Sequence, residues 1–153
     1  MSKSIKQLYP FKLNSILKER VWGGNRFGTS IGEAWEISGF EDESSEVTSG
    51  YLEGNALYDI IETYMGDIVG DDVYKYFGNE FPLLIKTLDI KDKLSVQVHP
   101  DYETAYDRHN SYGKSEAWYV LDAKPDSVIY MGFNKDMDPN EFYNRCKTGN
   151  VEE

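Results

Sequence analysis

The nine residues "KLSVQVHPD" at 93–101 constrain this chain more than any other stretch. Ser95, Gln97 and His99 alternate with Val96 and Val98, and in a strand that alternation sends the two sets to opposite faces. One face is aliphatic and belongs against a core. The other carries a hydroxyl, an amide and an imidazole, and such a face either meets water or does chemistry. The segment is expected to be a strand with one functional face.

The rest of the pattern predicts mainly β architecture with inserted helices. Residues 8–54 are short hydrophobic stretches broken by "WGGNRFG", "SGFEDESS" and "EGN", which reads as strands and loops. From Asn55 the period changes. Leu57, Ile60, Ile61, Tyr64, Met65 and Ile68 form one apolar stripe at helical spacing, with Asn55 as the expected N-cap and Gly70 as the stop. A second short helix, "DDVYKYF", is expected to end at Gly78. Strands then return at 81–90 and 93–100, and again at 115–123 and 127–133 around Lys124–Pro125–Asp126. Between them, 101–113 reads as a short helix and loop. Asp138, Pro139 and Glu141 predict a capped final helix closed by Gly149. No repeat or linker interrupts 1–153, so one domain is expected, with its helical insertion near 55–78.

Charge narrows the partners. The chain has 16 basic and 27 acidic residues, a net charge of −11, and no basic block. Such a surface repels phosphate backbones, which argues against nucleic acid. No stretch approaches the ~20 apolar residues of a membrane span, and "MSKSIKQLYPFKL" lacks the apolar core of a signal peptide. The single Cys146 excludes an intramolecular disulfide framework and points to a reducing, cytoplasmic compartment.

Glu116 lies 17 residues beyond His99, in "GKSEAWYVL". If strand 115–123 lies beside strand 93–100, its carboxylate reaches the space in front of Gln97 and His99. Imidazole nitrogen and carboxylate oxygen suit Zn²⁺ or another divalent first-row metal. A Gln amide is a weak neutral ligand that leaves positive charge on the metal, and three protein ligands with an open position is a catalytic zinc pattern. Spacing alone leaves a second reading open, in which His99 is a hydrogen-bonded core histidine.

The ordered series "VWGG" at 21–24, "IGEAWEIS" at 31–38, "FPLLIKTLD" at 81–89, "LSVQVHPD" at 94–101 and "GKSEAWYVLDA" at 113–123 resembles the type I mannose-6-phosphate isomerases. These are zinc enzymes of the cupin superfamily, and the resemblance runs from about Leu8 to the last helix. It implies a cupin β-barrel, or jelly roll, with inserted helices. It implies Zn²⁺ held by Gln97, His99 and Glu116, and interconversion of mannose 6-phosphate and fructose 6-phosphate.

The family's fourth ligand, a His on a later strand, has no counterpart before "TGNVEE", nor has the family's catalytic Arg. His109, the other histidine, sits in the polar loop "YDRHNSYG". The chain is therefore expected to be the N-terminal half of the family enzyme, its barrel incomplete at the C-terminus. Half a barrel leaves edges and an apolar face unpaired, so a second chain or self-association is expected to complete it. The alternative is a non-catalytic cupin-like module binding a sugar phosphate or partner protein, or an inactive fragment.

Isomerisation moves a proton between C1 and C2 and needs a charge to stabilise the enediolate oxygen. Lys114, on the strand face of Glu116, is the candidate catalytic residue. Lys86 in "LLIKTLD" and Ser95 are candidate substrate-binding residues, Ser95 as a phosphate donor. Trp22, Trp35 and Trp118 are expected to pack rather than stack on sugar. Glu33 and Glu36 have the residue types for paired-carboxylate hydrolysis, but nothing places them across a glycosidic bond.

Overall fold

The computed structural model describes residues 7–150, so the ends of the expected 1–153 domain lie outside the described residues. The chain divides into two compact units, one ending at Leu94 and the other beginning at Ser95.

The first unit is built on a three-stranded antiparallel sheet in the order β1 (Ile16–Gly24), β2 (Ile31–Ile37), β3 (Ile85–Leu88). Ile16 pairs with Trp35 and Lys18 with Glu33, while on the other side of β2 Trp35 pairs with Lys86 and Glu33 with Leu88. These residues share one sheet face, because directly paired positions point the same way. The register breaks after Lys18, where Glu19 and Gly24 both meet Ile31. Gly23 is required beside that bulge: a Cβ there would lie 2.6 Å from the Gly32 nitrogen.

The helical insertion follows as α1 (Leu57–Tyr64), α2 (Gly66–Val69) and α3 (Asp71–Phe77). The single stripe expected over 57–68 is thus broken. Met65 takes φ 50°, a conformation that stops a helix, and Gly66 restarts it. The expected N-cap also shifts. Ala56 caps α1 without a side-chain bond, while Asn55 Nδ2 donates to the Leu52 carbonyl at 2.8 Å. Ile60 is buried with Val47 and Leu52, flanked by Leu8, Tyr9, Phe11, Leu13, Tyr51, Tyr64 and Ile68. α3 ends at Gly78, as the sequence predicts.

The second unit holds α4 (Tyr102–His109) and α5 (Pro139–Thr148). Asp101 caps α4 by accepting from the Thr104 amide at 2.8 Å. Asp138 caps α5 by accepting from the amides of Asn140 and Glu141, Pro139 takes the first position and Gly149 closes it at φ 76°. Glu141 pairs with Arg145 and Lys135 instead of completing a capping box. Asp138→Ala is expected to cost about 1 kcal/mol. A thermal melt followed by circular dichroism checks it; an unchanged midpoint would show that α5 does not depend on its cap.

Among the described residues, 93–100, 115–123 and 127–133 belong to no strand ladder, whereas strands were expected there. Alternation reports which face a side chain takes, but a strand exists only when a neighbour accepts its backbone hydrogen bonds. Val98, Tyr119, Leu121, Val128 and Met131 are exposed there, each above 70%. Among the described residues the structure therefore shows a small antiparallel sheet of three strands with helices.

Candidate metal centre

The site is assembled by a helical clasp. The Lys114 amide donates to the Pro100 carbonyl at 3.4 Å, closing the chain on itself around α4. Gly113 permits this, since a Cβ there would sit 2.5 Å from the Tyr102 nitrogen and 2.7 Å from the Asp101 carbonyl carbon. The rings of Tyr102 and Tyr112 meet across the closure with centroids 5.9 Å apart. The closure sets the residues just before α4 beside those just after it.

Its consequence is direct. His99 Nδ1 stands 2.9 Å from Glu116 Oε2, although 17 residues separate them. Lys114 Nζ lies 3.2 Å from Glu116 Oε1 and 3.4 Å from His99 Nε2. Each ring nitrogen of His99 thus has a charged neighbour, Glu116 at Nδ1 and Lys114 at Nε2. Gln97 Nε2 donates to Ser95 Oγ at 2.8 Å. That leaves the amide oxygen as the end of Gln97 able to bind a cation.

Do these residues fit a metal? Two donors bound to one first-row ion at about 2.0–2.2 Å stand about 2.8–3.6 Å apart, from right-angle to tetrahedral geometry, and the His99–Glu116 separation of 2.9 Å lies at the short end of that range. The donor set is one imidazole, one carboxylate and one amide, which suits a divalent ion. No group of three His, Cys, Asp or Glu among the described residues is placed to hold a metal. The set therefore depends on Gln97 as third donor. His109 lies exposed in the last turn of α4.

Ser95, Gln97, His99, Lys114 and Glu116 all fall in the second unit. Lys86 belongs to the sheet unit, where its Nζ lies 3.6 Å from Glu33 Oε2 and 5.2 Å from the Trp35 ring centroid. Glu33 has several partners on that sheet. Arg20 grips it through Nε at 3.1 Å and Nη2 at 3.2 Å, and Trp35 Nε1 donates at 2.6 Å. Burial pushes the Glu33 carboxyl up. The Trp35 and Arg20 hydrogen bonds and the Lys86 and Arg20 charges outweigh it and hold the group below the ordinary carboxylate value.

Glu36 points to the opposite sheet face, accepting from Thr87 Oγ1 at 2.9 Å and from Ser15. The two glutamates therefore share no cleft, which disposes of paired-carboxylate hydrolysis. Trp35 packs under Lys18 and Lys86. Trp118 is 54% exposed, contrary to the packing role expected for it. The sequence reading did not single out Arg20, the anchor of Glu33, or Gly113, on which the clasp depends; a glycine directly before the lysine of "GKSE" was the available signal.

Residues 10–131 match the family model described as phosphomannose isomerase type I, catalytic domain. The chain is 37% identical over 155 aligned residues to the probable mannose-6-phosphate isomerase GmuF of Bacillus subtilis, covering 92% of this chain and 46% of that protein. It is 37% identical over 136 residues to the mannose-6-phosphate isomerase of Streptococcus mutans, covering 80% and 40%. The crystal structure of the mannose 6-phosphate isomerase from Bacillus subtilis superposes with a TM-score of 0.64 at 33% identity, over 75% of this chain and 38% of that one. The chain thus spans less than half the length of these relatives.

Proposed function

The chain belongs to the type I phosphomannose isomerase family, and from that premise we propose that it serves a zinc-dependent aldose–ketose isomerase interconverting mannose 6-phosphate and fructose 6-phosphate. The observation that carries the reading is the meeting of His99, Glu116 and Lys114, with contacts of 2.9, 3.2 and 3.4 Å. The names of the relatives support the substrate.

Gln97 through its amide oxygen, His99 and Glu116 would hold the zinc. Bound there, it would supply Lewis-acid stabilisation of the negative charge that develops on a substrate oxygen. Lys114 sets a positive charge within reach of the same space, where an enediolate oxygen develops. The Ser95 hydroxyl still has a proton to donate to a phosphate or sugar oxygen. Lys86, in the sheet unit, is the second substrate-binding candidate, its Nζ 3.6 Å from Glu33 Oε2. The same reading makes 93–100, 115–123 and 127–133 strands of a jelly-roll barrel in the working enzyme; the alternation of Ser95, Gln97 and His99 with Val96 and Val98 supports it for the first, and the β-rich composition of the other two for the rest. It also places the protein in the cytoplasm, in keeping with the exposed free thiol of Cys146.

The test is a coupled assay on the 153-residue chain, following mannose 6-phosphate to fructose 6-phosphate with zinc added and with zinc chelated. Turnover that requires zinc is the expected result. A folded, zinc-loaded chain without turnover would overturn the catalytic reading for this chain and leave a binding module or an inactive fragment of the isomerase.

A further inference from the structure

We propose that Ser95 is a positioning residue of this metal site, its hydroxyl fixing which end of the Gln97 amide is presented to the metal. The inference rests on the metal-site reading above and goes beyond it. An amide has one end that ligates a cation, its oxygen, and one that does not, its NH₂. A carboxylate or an imidazole faces no such ambiguity here: His99 is fixed by Glu116 on one side and Lys114 on the other. Gln97 has Ser95 alone. Its Nε2 donates to Ser95 Oγ at 2.8 Å, and among the described residues no other hydrogen bond orients that side chain.

Residues two apart in an extended segment share a face, so the side chain before Gln97 on that face is Ser95. With the NH₂ end tied to the hydroxyl, the oxygen is turned away from Ser95. Without the hydroxyl, the amide is free to rotate, and a share of the population presents its non-ligating end. Ser95 gives nothing to the metal itself; it acts through Gln97. Its own O–H remains able to donate, so the role is compatible with contact to substrate.

The test is titration of the 153-residue chain with cobalt(II), read by visible absorption, for the native sequence and four variants. Ser95→Ala is expected to weaken cobalt binding about tenfold, the range for removing an outer-shell partner, and Ser95→Thr to hold it within about twofold. The decisive comparison is made in a Gln97→Glu background. Both oxygens of a carboxylate ligate, so orientation needs no fixing. Adding Ser95→Ala there is expected to cost less than about twofold, a coupling that a double-mutant cycle isolates.

Equal losses in both backgrounds would mean that Ser95 serves the fold, not the amide, and would overturn the proposal. So would cobalt binding by Ser95→Ala as tight as the native chain's. Cobalt binding that is absent from the native chain would overturn the metal-site reading itself, and this inference with it. Ser95 is exposed, and far-ultraviolet circular dichroism confirms that each variant is folded.

Discussion

His99→Ala is expected to abolish zinc binding, weakening it by more than about 100-fold, beyond the range for losing an outer-shell partner. The imidazole is the nitrogen donor of the proposed set and the residue that both Glu116 and Lys114 approach. Stability is expected to change little. The His99 side chain is 28% exposed, and Glu116 keeps its Lys114 partner at 3.2 Å when the ring is gone. Loss of metal from a chain that still melts near its native midpoint is therefore the predicted signature. His109→Ala is the control, since that ring is exposed at the end of α4. Zinc content measured on the purified variants decides it: full occupancy in His99→Ala would remove the site assignment.

Glu33→Ala is expected to destabilise the sheet unit by about 2 kcal/mol, the cost of stranding partly buried charged donors, reduced because some of them reach water. The Glu33 side chain is 11% exposed, but the Arg20 side chain is 35% and the Lys86 side chain 26% exposed. The Trp35 N–H loses its acceptor as well.

The pH dependence follows from the direction of the shift. The folded carboxyl sits below its ordinary value, so the unfolded chain takes up the proton first as pH falls. The contribution is fully present above the ordinary carboxylate value of about 4.3 and is lost as pH falls through the lowered folded value. Denaturation of native and variant chains at pH 7 and near pH 3 measures it. The gap between them is expected to narrow at the lower pH; a gap of constant size would show that Glu33 acts by packing and not by charge.

Both residues were visible in the sequence, but not equally. His99 was marked by a polar set alternating with valines, a pattern whose period fixes the face before any fold is known. Glu33 sat in "IGEAWEIS", where alternation is imperfect and the glutamates invite the wrong pairing. Register sorted them. Lys18 and Leu88 flank Glu33 on one face, and Thr87 holds Glu36 on the other. Arg20 approaches Glu33 from beyond a bulge that no residue pattern announced.

By itself the sequence determined what depends on near neighbours in the chain. Asp101 and Asp138 cap α4 and α5 because a carboxylate meets amides two or three residues on. Gly78 and Gly149 end helices because only glycine takes their positive φ without strain. The polar face of 95–99 and the family motif are likewise local. Tertiary structure decided what depends on partners far along the chain. It broke the 57–68 stripe at Met65, paired Glu33 with Arg20 and Lys86, and closed the Pro100–Lys114 clasp that brings Glu116 to His99. It also left 93–100 and 115–133 without a ladder, because a strand is made by the neighbour that accepts its hydrogen bonds, and alternation names no neighbour.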